Sequence, residues 1–469
     1  MKHTPPLVAI QRAMILFTFC CPILVPSISH TFRAPQVGGH VNLYLPQNEL
    51  IQTQRQLLYI PLLEPVVETE WVKNKVSPPL KKFPRWRSRI IKDLRSQKSG
   101  KVWTVYSDEP IPLLEASLKD CLLPQRMKAL WPSWVIRALN ETPDFRIQTN
   151  AVQVQFQNPI PVFPKLLTGC LYFGPEGRET GAFAMDSATR LKRNPRSLRP
   201  PISLTSLTFL QNEESADIVG GSPKDADGEL LLAPFPDVVL LLQTQKVVTR
   251  DPLTLRQSAG GLDSFIGAIN PNAMLSLYWS GRGAAYSGIL PPGVGPPRPL
   301  PKPTTGELMS LRLDSLPSDA PSVAISRWPQ DELTKGIFER MGVILRTQGV
   351  RADSVQSFSQ QSDMQIVRWR PPVDDPALAL LVLAGQYPEY LLTDGLGDRL
   401  RNDRRLLSER EAERLAAAVQ WEQRWLSDYF VIPLMTAERW YVYKPNLENV
   451  IIDADGLPRL EDAYWSQEP

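Results

Sequence analysis

The chain has 469 residues, of which 43% are hydrophobic and 22% are charged, and this composition is typical of a globular protein with a sizeable core. Proline is frequent at 46 residues while glycine numbers 26, which excludes collagen-like sequences and flexible linkers. The formal charge of +3 points to no particular partner. The only histidines are His3, His30 and His40, so the body of the chain lacks the histidines on which zinc sites and catalytic triads usually depend. We therefore expect no metal, no other cofactor and no enzymatic activity.

The N-terminus predicts an export signal at 1–29. Lys2 and Arg12 accompany an apolar run at 13–25, which is shorter than the ~20 residues that a membrane-spanning helix needs. Ser27 and Ser29 are small residues at the spacing that signal cleavage requires, so we expect cleavage after Ser29. A retained anchor is the alternative. In both cases we expect the rest of the chain in the periplasm or another extracytoplasmic space.

A basic segment follows at 73–101, with eleven lysines and arginines and the single acid Asp93. Its cations are interleaved with Phe83 and Trp86, a combination that can bind nucleic acid through phosphate contacts and base stacking. The other interpretation is a solvated surface. Because an exported chain rarely meets nucleic acid, and because the rest of the chain is net acidic, we expect no nucleic-acid partner.

Apolar patterns predict strands and helices along the whole chain. Alternating or continuous apolar residues predict strands at 151–157, 202–210 and 237–242, and helical spacing predicts helices at 331–348 and 408–429. Ser408 and Glu411 fit a capping box for the last helix. Cys121 and Cys170 predict either a disulfide in an oxidising compartment or two buried thiols. Strands and helices alternate without a GxxxxGK[ST] or GxGxxG phosphate loop, which predicts an α/β fold in two lobes.

Ten short stretches also resemble, in the same order, the motifs of one protein family. The most specific are 431–434 and 449–465, which are similar to that family's last hinge, last strand and closing tryptophan. The others are 38–39, 62–65, 100–105, 180–183, 191–195, 251–270, 288–293 and 363–380. The family is that of the extracellular solute-binding proteins of the oligopeptide and nickel type, family 5, whose members deliver cargo to ABC importers.

The resemblance implies a two-lobed, periplasmic-binding-protein-like α/β fold with mixed sheets and a hinge between the lobes. It implies an N-terminal lobe at 30–245 with a divergent subdomain at about 66–165, a second lobe at 246–430, and a return to the first lobe at 431–469. The chain is expected to cross between the lobes near 242–248 and 430–434. Closure of the lobes would bury a ligand without any covalent step.

Six residues are candidates for ligand contact by this resemblance: Trp369, Arg370, Asp374, Tyr278, Trp279 and Tyr286. The first three lie on segment 363–380, and the other three precede the loop at 288–293. The alternatives are core packing for the aromatic residues and surface exposure for the arginine. Arg368 and Arg370 flank Trp369, and at a closing cleft such arginines would favour a carboxylate or phosphate on the ligand.

One departure from the family pattern bears directly on the ligand. Peptide-binding members carry an aspartate three residues after the tryptophan of this segment, where it pairs with the α-amine of the ligand, and Pro372 holds that position here. A buried ammonium without a counter-charge is strongly unfavourable. Binding of peptides with a free N-terminus would therefore require Asp374 or Asp375 to take this role.

The sequence thus predicts an exported, monomeric receptor that captures a peptide or a similar organic solute between its lobes and delivers it to the permease of an ABC transporter. The alternative is an exported anion- or polymer-binding protein that uses the basic segment at 73–101.

Overall fold

The computed structural model of the chain shows a mixed α/β protein. It describes residues 39–44, 64–65, 68–70, 85–123, 130–174, 180–187, 189–197, 203–210, 214–220, 228–233, 235–244, 261–296, 316, 319–347, 349–355, 362–393, 395–428, 430–452, 458–460 and 463–466. The export signal predicted at 1–29 and the first part of the basic segment lie outside these residues. No helix in the described part of the chain is long and apolar enough to cross a membrane.

The described strands are short and occur along the whole chain. In chain order they are β1 (His40–Tyr44), β2 (Glu64–Pro65), β3 (Glu68–Glu70), β4 (Arg85–Arg87), β5 (Ile91–Gln97), β6 (Val102–Ser107), β7 (Asp144–Gln148), β8 (Ala151–Gln155), β9 (Leu171–Tyr172), β10 (Phe183–Ser187), β11 (Arg190–Arg193), β12 (Ser206–Leu210), β13 (Ile218–Gly220), β14 (Glu229–Leu232), β15 (Asp237–Gln243), β16 (Gly283–Ala285), β17 (Ser322–Trp328), β18 (Arg351–Ser354), β19 (Met364–Trp369), β20 (Val431–Ala437), β21 (Trp440–Tyr443), β22 (Leu447–Glu448), β23 (Ile451–Ile452), β24 (Pro458–Arg459) and β25 (Tyr464–Trp465).

The two longest described helices lie in the second half of the chain. In chain order the helices are α1 (Ile111–Leu122), α2 (Trp131–Leu139), α3 (Phe163–Leu166), α4 (Gly261–Ile269), α5 (Pro271–Tyr278), α6 (Glu332–Thr347), α7 (Pro376–Gln386), α8 (Pro388–Leu391), α9 (Leu396–Asn402) and α10 (Glu411–Ser427). Short 3-10 helices occupy Lys98–Gly100, Leu167–Gly169 and Arg404–Leu407.

Two of the described sheets are large. The first sheet has seven strands in the order β10-β11-β12-β1-β13-β21-β14. β1 is parallel to both of its neighbours, and Leu43 pairs with Phe209 of β12 and with Ile218 of β13. Val41 and Leu43 lie on the same face of β1 and are both buried in the core of this sheet, as the two-residue period of a strand requires.

The second sheet has six strands in the order β16-β20-β15-β19-β17-β18. β15 is antiparallel to β19 and to β20, and all seven of its residues are buried. Val239 and Leu241 contact the core that contains residues of α4, α5 and α6, whereas Val238, Leu240 and Leu242 contact a larger core on the opposite face. A strand covered on both faces is continuously apolar, which explains the run at 237–242.

The chain passes between these two sheets at positions that differ from the expected ones. β14 lies in the first sheet and β15 in the second, so one passage is at 233–236. β20 lies in the second sheet and β21 in the first, so the other passage is at 438–439. The crossings expected at 242–248 and 430–434 do not coincide with these passages: 242–243 and 431–434 lie in strands of the second sheet, and 245–248 lie outside the described residues. The limits of the lobes themselves remain a prediction.

A four-stranded antiparallel sheet, β5-β6-β8-β7, forms a subdomain with α1 and α2. Cys121 near the end of α1 is bonded to Cys170, which follows the 3-10 helix Leu167–Gly169. The sequence leaves open a disulfide or two buried thiols, and the structure has the disulfide. Disulfides persist in oxidising spaces such as the periplasm, so this bond agrees with the predicted export.

The largest core joins this subdomain to the second sheet. It contains residues of α1 and α2 from the subdomain together with residues of α7, α10 and β15. α7 is apolar on all sides, and each of its residues from Pro376 to Gly385 is buried. A helix that is hydrophobic all round is a buried helix, and α7 accordingly lies against α2 on one side and α10 on another.

Most of the predicted elements are confirmed with small changes at their ends. β8, β12, β15, α6 and α10 lie within the segments predicted for them, or within one residue of them. The capping box predicted at Ser408 and Glu411 is wrong. α10 begins at Glu411 after Arg410, and the Ser408 hydroxyl instead donates to Glu413 Oε2 at 2.6 Å.

Candidate functional site

The candidate site is the edge of the second sheet from which the chain passes into the first sheet. The parallel strands β17 and β19 end at this edge, at Trp328 and Trp369, and β20 ends there at Ala437. β15 runs in the opposite direction and begins there at Asp237. In open α/β sheets, ligands bind beyond the carboxyl ends of the strands, so this edge is where topology predicts a ligand.

Five charged side chains meet at this edge, and we call them the junction cluster: Asp237, Asp331, Arg368, Arg370 and Arg439. The carboxylate of Asp237 contacts three guanidinium groups, with Oδ1 2.6 Å from Arg370 Nη2 and Oδ2 3.6 Å from Arg368 Nε and 3.4 Å from Arg439 Nη2. Asp331 Oδ2 lies 3.1 Å from Arg368 Nη2. The Asp237 and Arg368 side chains are each 2% exposed and that of Arg439 is 12% exposed, so the cluster is buried.

The charges of the cluster control its ionisation. Burial alone would raise the pKa of Asp237, but the charges of Arg370, Arg439 and Arg368 outweigh burial and hold that pKa below its usual range. Burial and the neighbouring arginines lower the pKa of Arg370, although Asp237 opposes them. Asp237 is therefore ionised at neutral pH.

Two tryptophans extend the cluster toward the first sheet. Arg368 lies over the ring of Trp279 at 4.4 Å, a cation–π contact. Trp279 Nε1 donates to the backbone carbonyl of Glu438 at 2.7 Å, and its ring meets that of Trp440 edge-on at 6.1 Å. Arg282 covers the Trp440 ring at 4.8 Å. Since Trp279 follows α5 and Trp440 begins β21, this aromatic pair bridges the two sheets.

Trp279 and Arg370 are the two predicted ligand residues that the structure brings together here. Trp369, between two cluster arginines in sequence, points instead into the largest core and donates from Nε1 to Gln386 Oε1 at 2.9 Å. Tyr286 is also buried in that core, where its hydroxyl donates to the Leu290 carbonyl at 2.7 Å.

Tyr278 and Asp374 lie apart from the cluster contacts. Tyr278 is half-buried and packs in the core between the second sheet and its helices. Asp374 is exposed, whereas its neighbour Asp375 is buried and pairs with Lys165 and Arg414. Asp375 thus has two cations of the protein as partners. The contact of all six predicted residues with a ligand remains a prediction.

Sequence reasoning does not find Asp237, Asp331 or Arg439, because the contacts of the cluster join segments that are distant in the chain. One signal could have marked the first of them. Asp237 stands at the head of the otherwise apolar run at 237–242, and a charge that enters a buried strand needs a partner of opposite charge.

His40 is the only histidine in the described part of the chain. It lies on β1, where Nδ1 is 2.7 Å from Ser206 Oγ and Nε2 is 2.8 Å from Asn42 Oδ1. This arrangement has the residue types of a nucleophile, a base and an orienting group. Ser206 is only 5% exposed, however, so its hydroxyl is not presented to a substrate, and the contacts instead tie β1 to β12.

The described part of the basic segment lies on the subdomain. Lys92 and Arg95 are exposed on β5, an end strand of the four-stranded sheet, and pair with Asp108 at 3.0 Å and Asp93 at 2.7 Å. Pairs of this kind contribute little to stability. They also neutralise part of the charge that a polyanion would contact.

No protein-family model matches the chain, and no curated protein matches it. Solved structures match it over most of its length. The dipeptide-binding protein from Pseudoalteromonas sp. SM9913, in complex with Met-Leu, has a TM-score of 0.66 at 12% identity and covers 91% of this chain and 100% of that chain. NikA from Brucella suis, in complex with Fe(III)-EDTA, has a TM-score of 0.64 at 12% identity, with 91% and 100% covered.

A third similar structure is the ABC transporter-associated periplasmic binding protein DppA from Helicobacter pylori, in complex with the peptide STSA. Its TM-score is 0.66 at 11% identity, and the match covers 92% of this chain and 99% of that chain. Two of the three are named as binding proteins, and all three hold a bound ligand. The match confirms the predicted fold: the chain has the two-lobed α/β fold of periplasmic binding proteins.

Proposed function

We propose that this chain is an extracytoplasmic receptor that binds an organic solute at the junction of its two large sheets and delivers it to the permease of an ABC transporter. The observation that carries the proposal is the match to binding proteins over 91–92% of the chain and 99–100% of their length. Two of these proteins hold peptides and one is associated with an ABC transporter. A peptide or a solute of similar size is therefore the first class of ligand to test.

The arrangement of the sheets supports reversible binding. Two short passages, 233–236 and 438–439, join the sheets, and Ala233 N donates to the Arg439 carbonyl at 2.9 Å. Short paired passages are the kind of element that absorbs the backbone rotation of a hinge. Trp279 and Trp440 contact each other across this junction, so a ligand bound beside them would draw the sheets together. Such a receptor needs no catalytic residue, and we propose that the protein is not an enzyme.

Export through the predicted signal would place the protein outside the cytoplasm. The disulfide between Cys121 and Cys170 supports this part of the proposal, because such bonds are rare in the cytosol. We propose a monomer, since one chain contains both sheets and both passages.

The test is a thermal-shift screen of the exported full chain against peptides, amino acids, sugars and metal chelates. A ligand at a hundred times its dissociation constant stabilises the protein by about 2.7 kcal/mol, enough for a clear rise of the unfolding midpoint. We expect one class of solute to raise the midpoint at a stoichiometry of one. Trp279→Ala should abolish the rise, whereas Leu277→Ala, at an exposed position of α5, should leave it unchanged.

The basic segment makes the alternative testable in the same screen. Binding of polyanions that vanishes as salt rises, and that is lost when Lys81, Lys82, Arg85 and Arg87 are replaced by glutamine, would favour the anion- or polymer-binding protein. It would also contradict the receptor.

A further inference from the structure

We propose that an ion-pair latch holds the subdomain against the second sheet, so that these two parts form one rigid unit with or without a ligand. The latch consists of Asp375, Lys165 and Arg414. This inference goes beyond the proposed function, because it states which contact of the molecule stays closed while a ligand binds. Motion on binding is then a movement of the first sheet relative to this unit.

Lys165 belongs to α3, and aromatic packing fixes α3 to the subdomain. The ring of Phe163, on the same helix, lies 5.5 Å from that of Trp103 on β6 and 5.5 Å from that of Phe156, which follows β8. Beyond α3, the disulfide at Cys170 bonds the chain to α1. Lys165 therefore has to follow any movement of the subdomain.

Asp375 receives this lysine from the other side of the interface. Lys165 Nζ lies 2.7 Å from Asp375 Oδ2, and the same oxygen lies 2.8 Å from Arg414 Nε. Asp375 caps the start of α7 and Arg414 lies on α10, and both helices belong to the large core beside the second sheet. The Asp375 side chain is 1% exposed, and breaking a buried ion pair is strongly unfavourable. Separation of the subdomain would take Lys165 away from this pair.

A second polar contact crosses the same interface. Arg404, in the 3-10 helix before α10, donates from Nη2 to Asn158 Oδ1 at 2.7 Å. Asn158 Nδ2 in turn donates at 2.6 Å to Oε1 of Glu141, a buried carboxylate just beyond α2. Asn158 is thus held in place by the subdomain while it accepts from the other part.

The interface between the two parts is also apolar and closely packed. α7 lies against α2, and a Cβ atom added at Gly385 would overlap the backbone carbonyl of Trp134. The core that joins the two parts is the largest in the described part of the chain. Domains of one chain move relative to each other unless their interface is large and hydrophobic. This interface meets that condition, and the latch adds a buried charge contact to it.

The first sheet is joined to this unit by short segments. It has a core of its own, to which Leu171 of β9 and the following Phe173 belong, whereas Tyr172 between them belongs to the large core. The other connections are the passages at 233–236 and 438–439. Rotation between rigid parts is absorbed by a few residues at such connections. The first sheet is therefore the part that can turn.

The test measures distances between two spin labels by double electron–electron resonance. The labels are attached to introduced cysteines in the exported full chain, with Cys20→Ser and Cys21→Ser to remove other thiols. The first pair joins Gln148→Cys on β7 of the subdomain to Arg346→Cys on α6, which packs on the second sheet. The second pair joins Thr189→Cys, next to β11 of the first sheet, to Arg346→Cys. All three positions are exposed.

The two pairs should behave differently. We expect the first pair to give a single distance without ligand, and the same distance when the solute found in the thermal-shift screen is added. We expect the distance of the second pair to change on this addition, because the first sheet turns relative to the rigid unit.

Variants then assign the rigidity to the latch. Lys165→Met removes a cation from Asp375 and should add a longer distance to the first pair, whereas Lys165→Arg keeps the charge and should give the single distance. Lys119→Met is the matched control. Lys119 lies on α1 of the subdomain, is 31% exposed against 30% for Lys165, and pairs with Glu115 of its own helix. The control should give the wild-type distance, and circular dichroism identifies the folded variants.

Two results would overturn the inference. If the first pair gives two distances in the wild type, or a different distance once the solute is bound, the subdomain moves against the second sheet. If a folded Lys165→Met keeps the single distance, the ion pair is not the latch. The wild-type measurement decides alone if this variant does not fold. Failure of every solute class would contradict the proposed function, while the ligand-free distance of the first pair would still test the latch.

Discussion

At the scale of single residues, Asp375 shows how one buried carboxylate joins three parts of the molecule. Its Oδ1 accepts from Leu378 N at 3.2 Å and so caps α7, while Oδ2 is 2.7 Å from Lys165 Nζ and 2.8 Å from Arg414 Nε. Burial would raise the pKa of Asp375, but the charges of Lys165 and Arg414 outweigh it and lower the pKa. Lys165 lies on α3 and Arg414 on α10, so Asp375 connects both helices to α7.

Asp375→Asn should therefore destabilise the protein strongly. Asparagine is as good an N-cap as aspartate, so the loss reports the missing charge beside Lys165 and Arg414. Removing one partner of a buried ion pair costs about 3–5 kcal/mol, and urea unfolding should show a loss of this size. Asp374→Asn is the matched control, because Asp374 is adjacent and exposed. Equal stability of the two variants would contradict the structural role of Asp375.

The site could be predicted from the sequence only in part, and the reason lies at this scale. Trp279 and Arg370 could be predicted because each lies in or near a stretch that resembles a family motif. Asp237 and Arg439 could not be predicted, since they are about two hundred residues apart in the chain and meet only when β15 and β20 pair. Spacing along a sequence reports contacts within an element, whereas the junction cluster consists of contacts between elements.

At the scale of elements, α7 packs closely against α2 in the large core. A Cβ atom added at Gly385 would overlap the backbone carbonyl of Trp134. Glycine at this position is thus required by packing, not by its dihedral angles. α7 also escaped prediction as a helix because it is apolar on every side and so has no amphipathic period, whereas α6 and α10 have one face exposed.

Gly385→Ala should destabilise the protein, whereas the same change in another helix should not. The methyl group would force α7 away from α2, and overpacking of this kind costs about 1–3 kcal/mol. In α6, a Cβ at Gly342 would meet only Ala352 Cβ at 3.8 Å, so Gly342→Ala should instead stabilise by about 0.5–1 kcal/mol through helix propensity. Chemical denaturation measures both. A gain of stability at Gly385 would show that the two helices are not in close contact.

At the scale of the whole molecule, the subdomain and the second sheet share one apolar core, while the first sheet has a core of its own. The order of elements and the α/β class follow from the sequence, because apolar periodicity depends on local burial. The sheet to which a buried strand belongs does not follow, since an apolar run fits the middle of either sheet equally well. For this reason the crossings were expected several residues from the passages at 233–236 and 438–439.

Two buried carboxylates, Asp237 and Asp375, make the stability of the molecule sensitive to acid. The folded structure lowers the pKa of Asp237 and of Asp375, while in the unfolded chain both return to about 3.9. The unfolded state therefore binds more protons in acid. The contribution of both groups is complete above about pH 5, and it is lost as the pH falls through the unfolded value toward the folded one.

The free energy of unfolding, measured in urea between about pH 2 and 7, should accordingly be flat near neutrality and fall steeply below about pH 4. Each carboxylate adds at most about 1.4 kcal/mol per pH unit to the slope. Other acidic residues also contribute to the stability lost at low pH, so the wild type is compared with Asp375→Asn. The slope of this variant should be shallower by up to the contribution of one carboxylate. Asp374→Asn should not make the slope shallower, because partial desolvation raises the pKa of Asp374 and the folded state therefore takes up this proton at a higher pH than the unfolded chain. Parallel profiles for wild type and Asp375→Asn would mean that the pair with Lys165 and Arg414 does not hold Asp375 ionised, and that acid acts on the molecule elsewhere.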